Sequence, residues 1–332
     1  MFSPEQKFNA PAEGVHRRQE PEELPHLLKT MDMLEKMVFP FAIDPKTFIK
    51  TEDPNSGPYD KESVERDLER LKKIEEEIRM RDEATEKFPG SKGRHMAARQ
   101  IAHAFEGVML QAADNEWLGP GAKIIIPSRY DDLINGVDAI AEFHDEGYFS
   151  HLALAMDVTS SERVDTKLLG IKSKISDGEL AQLRYFESEA THTIGEKKNL
   201  PRVIVGADRQ TVYNLTLLFA ERKTRSLAAH PMQIQMLSEI HHQLKAYVAY
   251  SREHAAENSK TQAKEKQRRM MVKVYEDSAK IIDGILEGHV LQFGEERVRA
   301  MLREAEKDNV YQAMLEKLHL YFGYTPEDLL NK

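Results

Sequence analysis

Three short apolar runs follow one another in the middle of the chain: "AKIIIPS" (122–128), "DAIAEF" (138–143) and "HLALAMDVT" (151–159). Each is too short for an ordinary helix and is separated from the next by Gly, Pro, Asn or Asp, so the spacing predicts three strands. This constrains the chain most, because strands carry unpaired backbone groups that only a sheet can satisfy. "HDEGY" between the second and third runs suits a hairpin-type turn. "SERVDTKLLGIKSKISDG" (161–178) predicts a helix with Leu168, Ile171 and Ile175 on one face and Gly178 just past its end. "LPRVIVGAD" (200–208) gives the clearest buried-strand pattern, and Asp208 is placed to cap a helix running to about Arg222. Ahead of the strands, a helix over about 94–117 buries Ile101, Phe105, Val108 and Ala112 and is stopped by "LGPG". "LAQLRYFESEA" between the second helix and the last strand remains ambiguous. The order is helix, three strands, helix, strand, helix.

The flanks are different. Leu24, Leu27, Leu28, Met31, Leu34 and Met37 recur at helical spacing, and prolines 40, 45, 54 and 58 with Gly57 then predict an irregular wrap. "DKESVERDLERLKKIEEEIRMRDEATEKF" is a helix with one narrow apolar stripe, Val64, Leu68, Leu71, Ile74 and Ile78. "FPGSKGR" (88–94) marks a boundary, and from Pro231 onward the pattern is helical almost throughout. The expected fold class is mixed α/β: an N-terminal helical region (1–90), an α/β core (91–228) and a C-terminal helical region (229–332). With 332 residues and 40% hydrophobic composition, a sizeable core is available. The chain has no cysteine, which excludes disulfides, thiolate metal sites and cysteine nucleophiles, and no apolar run long enough for a membrane span. A cytoplasmic protein without a membrane partner is expected.

Chemistry concentrates at the ends of two strands. Asp138 opens one run and Asp157 nearly closes the next, where hydrophobic residues are easier to bury. Two neighbouring carboxylates repel each other, and a divalent cation with a preference for hard oxygen ligands removes the repulsion. The plain alternatives are that Asp138 is a strand-entry residue bonded to backbone amides and that Asp157 ends a strand and caps a loop.

Taken with the element order, these residues resemble the PD-(D/E)XK, or restriction-endonuclease-like, nuclease superfamily over about 130 residues. In that resemblance Glu106 of "AHAFEGVML" fills the acidic position on the leading helix, with Arg99 and His103 on the same flank. Asp138 of "NGVDAIAEF" fills the second position, and Asp157 of "MDVTS" the third. Thr159 stands where the family places lysine. The resemblance implies a Mg2+- or Mn2+-dependent nuclease acting on nucleic acid, DNA ahead of RNA, with a homodimer allowed. Asp138, Asp157 and the Val158 carbonyl would hold the metal, with Glu106 assisting. Lys167, eight residues past Thr159, would supply the missing charge; Lys172 and Lys174 come second. The alternative is a catalytically inactive nuclease-fold scaffold or interaction protein.

Other signals point elsewhere. Asp131 and Asp132 are expected in a loop near the site, with Arg129 and Tyr130 as candidates for phosphate contact. His230, His241, His242 and His254 form no His-Glu-x-x-His motif and are expected to be solvated or packed. There is no phosphate-binding G-x-x-x-x-G-K-[ST] loop, no G-x-G-x-x-G and no G-x-S-x-G. The net charge of −9 offers nucleic acid no global attraction, so binding would need a local basic patch. "KTQAKEKQRRMMVK" (260–273) and the group Arg222, Lys223 and Arg225 are the basic stretches, the first read as a solvated helix.

Overall fold

The computed structural model describes residue 29 and residues 42–53, 56–86, 101–109, 116–144, 151–188, 191–255, 262–326 and 329–330. The expected helix around 21–39, apart from residue 29, the boundary at 88–94 and most of the "HDEGY" turn lie outside the described residues. The fold is mixed α/β. An irregular lead-in with a 3-10 turn at Pro45–Phe48 is followed by α1, Lys61–Glu86. A second helix, α2, is described over residues 101–109. Strand β1 (Lys123–Ile125), a π-helical turn at Asp131–Asn135, β2 (Ala139–His144) and β3 (His151–Thr159) come next. Helix α3 (Asp165–Asp177) leads to β4 (Ala181–Ser188), β5 (Thr193–Leu200) and β6 (Arg202–Gly206). The rest is helical: α4 (Arg209–Ala220), α5 (Thr224–Ala228), α6 (Met232–Ala255), α7 (Gln262–Phe293), α8 (Glu295–Ala305) and α9 (Asn309–Phe322).

The main sheet has the order β1-β2-β3-β6, with β1, β2 and β3 antiparallel and β6 parallel to β3. Helix α3 lies between β3 and β6 in the chain, as a parallel crossover demands. The ambiguous segment before the last strand is β4, which pairs with β5 as a separate two-stranded sheet. The expected strand at 200–208 is shorter. Leu200 closes β5, Pro201 makes the break, and β6 begins at Arg202. Proline cannot donate to a ladder, but its carbonyl still accepts from the Ala155 amide at 2.9 Å.

One face of the sheet, with Ala141, Leu154, Met156 and Val158, packs under the helices with Phe105 and Val108 of α2 and Leu168, Ile171 and Ile175 of α3. The other face, with Ile140, Ala153 and Ala155, is covered by Ala181, Leu183 and Phe186 of β4. The α1 stripe delivers Val64 into a cluster with Phe48, Tyr130 and Tyr185. Asp208 caps α4 by accepting from the Thr211 amide at 2.8 Å, as the sequence predicts. Asp308 serves two helices. Its Oδ1 accepts the amides of Val310 and Tyr311 at the start of α9, while Oδ2 accepts the Asp208 amide and the Thr211 hydroxyl.

Among the described residues β6 is an edge strand, yet the outward backbone groups of Ile204 and Gly206 are bonded. Gln243 of α6 accepts the Ile204 amide at 2.8 Å and donates to the Ile204 carbonyl at 2.7 Å. Glu239 accepts the Gly206 amide at 2.8 Å, and Gln235 donates to the Gly206 carbonyl at 3.0 Å. Four helical residues rise about 6.0 Å and two strand residues about 6.6 Å, so side chains four apart on α6 match groups two apart on β6. Glu239 is fully buried, and burial holds its carboxyl well above the usual carboxylate range. Gly206 also leaves room for α9: a Cβ there would come within 2.3 Å of Val310 Cγ1.

Two predictions follow from this seal. Gln243→Leu leaves two buried groups of Ile204 without partners and should cost about 1–3 kcal/mol for each, read from urea unfolding. The native state keeps a proton on Glu239 that the unfolded chain releases above its ordinary carboxyl value, so this residue contributes stability at low pH that is lost as pH rises. The Glu239→Gln variant should lack that contribution. Between pH 5 and 8 its stability should fall less steeply than wild type, by up to about 1.4 kcal/mol per pH unit.

Candidate functional site

The end of β3 is where the site forms. Asp157 is 5% exposed, and each of its carboxylate oxygens meets a cation. Lys167 Nζ bonds Oδ1, and Arg202 Nη2 donates to Oδ2 at 2.9 Å. The same ammonium donates to the Val158 carbonyl at 3.1 Å. Lys167 can do this because Leu168, Ile171 and Ile175 seat α3 against the core, which leaves the preceding residue in the first turn facing the strand end. A second tether holds the start of α3: the Tyr321 hydroxyl of α9 donates to Asp165 at 2.7 Å.

Asp138 enters from β2, one step before the first paired residue, Ala139. Its amide donates to the Met156 carbonyl, and its carboxylate accepts the Val158 amide at 2.7 Å. The strand-entry role and the acidic cluster therefore coexist in one side chain. Burial, then the neighbouring Asp157 charge, pushes Asp138 up to about 7, with Lys167 pulling the other way. Glu106 sits half-buried on the flank of α2, whose Phe105 and Val108 are fully buried. Burial pushes its carboxyl up to about 8, helped by the charges of Asp138 and Asp132 and opposed by Arg129 and Lys167. Asp132 is also raised, by burial first, with the charge of Asp157 adding to the effect and Arg129 and His103 working against it. Four acids from four separate places, α2, the π-helical turn, the entry to β2 and β3, are thus linked through their charges.

The structure separates the neighbours named from the sequence. Asp131 faces away from the cluster, fully buried, and accepts from Ser128 Oγ, Asn135 Nδ2 and the amides of Arg184 and Tyr185. It ties the π-helical turn to β4. Asp132, next in sequence, belongs to the acidic cluster instead. Tyr130, expected near phosphate, is buried with its ring edge-on to Tyr185 at 5.6 Å, because the turn directs it into the Phe48–Val64 cluster. Arg129 pairs with Asp132 and with Glu75 of α1. Lys172 is drawn to the far end of α9, where it donates to the Tyr321 carbonyl and lies 4.9 Å over the Tyr250 ring. Lys174 is exposed, and Arg99 lies outside the described residues. Thr159 is buried and its hydroxyl accepts the Ser161 amide at 3.2 Å, closing the turn after β3.

Arg202 carries no motif and escaped the sequence reading. Its only signal was a basic residue next to an otherwise apolar strand. Three of the four histidines expected to be solvated or packed are packed: His241 pairs with Asp283 at 2.7 Å, His242 bonds the Tyr324 hydroxyl, and His230 accepts the Met232 amide. Among the described residues no group of three or more His, Asp or Glu is arranged to hold a metal ion. Nor is any described helix long and apolar enough to cross a membrane. No family model matches the chain, and no curated protein or solved structure matches it either.

The cluster makes its own titration prediction. Lys167 lowers the proton affinity of both Glu106 and Asp138. Lys167→Met should therefore raise both carboxyl pKa values further, measured by carbon-detected NMR of the side-chain carboxyls. Unchanged values would place the ammonium elsewhere in solution.

Proposed function

We propose that the chain is a divalent-metal-dependent nuclease of the PD-(D/E)XK type, hydrolysing phosphodiester bonds of nucleic acid, with DNA ahead of RNA as substrate. The observation that carries this reading is the reach of Lys167 to Asp157 and to the Val158 carbonyl. It supplies from α3 the positive charge that Thr159 cannot. The element order supports the same reading: α2, a three-stranded antiparallel meander, α3 and a parallel β6, with the β4–β5 hairpin inserted before the last strand.

The donors fit a hard cation in kind. The carboxylates of Asp138 and Asp157 and the Val158 carbonyl would hold Mg2+ or Mn2+, with Glu106 completing the set directly or through water. A bound cation would activate water and neutralise charge developing on the phosphoryl group. Lys167 would then be released from Asp157 to orient the attacking water or steady the anionic transition state. Glu106, titrating near 8, can hold or release a proton at neutral pH. Glu106 and Asp138 would have to lose their protons to serve as ligands, so affinity should rise with pH through the range 7 to 8 in which those groups ionise.

One observation favours the second reading, a nuclease-fold scaffold without activity. Both oxygens of Asp157 are engaged by protein cations. Incubating labelled single- and double-stranded DNA and RNA with millimolar Mg2+ or Mn2+ separates the two. The nuclease reading expects cleavage that falls on the order of 10²-fold or more in Asp157→Asn and Lys167→Met. Cleavage undiminished in both variants removes the assigned site. Absence of cleavage on every substrate, in a protein that still binds Mn2+, supports the scaffold.

A further inference from the structure

Arg202 begins β6, and its side chain is only 16% exposed. The guanidinium makes three bonds at once. Nη2 donates to Asp157 Oδ2 at 2.9 Å and to the Gly136 carbonyl, and Nη1 donates to the Asn135 carbonyl at 3.1 Å. Asn135 and Gly136 end the π-helical turn, and the chain then passes through Val137 directly to Asp138. One planar fork therefore joins the lead-in of Asp138 to the carboxylate of Asp157. A lysine, with a compact ammonium, cannot span these acceptors in the same way.

Gly136 carries a second mark of this contact. Its φ is +64°, a conformation that favours glycine, and a Cβ there would lie 2.8 Å from Arg202 Nη2. Residue 136 is thus constrained both by its own backbone and by the approach of the guanidinium.

We infer that Arg202 is a positioning residue: by holding Asp157 Oδ2 against the Asn135–Gly136 turn, it leaves Oδ1 as the oxygen that a divalent cation takes. The inference rests on the nuclease reading of the site. Of the two cations on Asp157, Lys167 is the exchangeable one. Its side chain is 34% exposed, and beyond Asp157 its ammonium bonds one carbonyl, whereas Arg202 is bound to two further carbonyls. Lys167 would therefore be the residue to give way to a bound metal, while Arg202 keeps its contacts to the Asn135 and Gly136 carbonyls. With Arg202 fixed, the carboxylate keeps its orientation during that exchange, and Asp138 stays in register with it.

The test is Mn2+ titration calorimetry with thermal melting on the full chain, for wild type, Arg202→Met, Arg202→Lys and Arg268→Met. Arg268 is the control for a lost buried guanidinium: it is 7% exposed and donates to the Ser176 carbonyl at the far end of α3. The expected result is at least a tenfold weaker Mn2+ affinity in Arg202→Met, partly regained in Arg202→Lys, with Arg268→Met melting lower but binding as wild type does. Should Arg202→Met not fold, Arg202→Lys still decides, since it keeps the charge and loses the fork; it should bind more weakly than wild type. Wild-type affinity in a folded Arg202→Met or in Arg202→Lys overturns the inference and leaves the nuclease reading standing. A wild-type protein that binds no Mn2+ overturns both.

Discussion

Among the described residues no strand lies beyond β6, and its outer edge is held by side chains rather than by another backbone. Gln243, Glu239 and Gln235 of α6 replace the missing ladder at Ile204 and Gly206. An unpaired edge is open to pairing with another chain, and burying it without partners costs about 1–3 kcal/mol for each orphaned group. The helix solves both problems, because amide side chains can donate and accept as a peptide does. It requires a fully buried carboxyl, and burial holds that of Glu239 well above the usual carboxylate range. The candidate site depends on this arrangement, since Arg202 is the first residue of the sealed strand.

From β6 the dependence runs outward through side chains. Arg202 holds the carboxylate of Asp157 and the turn that leads to Asp138. Lys167 holds the same carboxylate from α3, which is in turn anchored to α9 by the Tyr321–Asp165 bond. The C-terminal helices thus do more than bury the sheet: α6 fixes one cationic partner of Asp157, and α9 helps to fix the other. Burial first, and then the charges of neighbouring acids, holds the carboxyls of Glu106 and Asp138 above the usual carboxylate range.

Much of the order of elements was legible in the chain. The run at 151–159 is β3 residue for residue, the helix predicted over 161–178 is α3, and Asp208 caps α4. These features are encoded by local periodicity and by capping chemistry, which need no knowledge of the partner. The β4–β5 hairpin was not legible. Thr193–Leu200 is polar along most of its length because one side is open to water, so it carries no continuous apolar signal. Tyr130 misled for the opposite reason. In sequence it belongs to a polar loop, but the turn rotates it into the Phe48 cluster.

The sequence by itself determined which acids exist at the strand ends, that Thr159 follows Asp157 by two positions, and that Lys167 lies within the next helix. Tertiary structure alone decided which lysine is used. Lys167, Lys172 and Lys174 share α3, but packing of Leu168 and Ile171 points only the first toward Asp157 and sends the second to the Tyr321 carbonyl. It also decided the role of Arg202, whose partners lie 45 to 67 residues away. Periodicity records which face of an element is buried. Which groups meet beneath that face is set by how the elements cross, and no residue spacing within one segment carries that information.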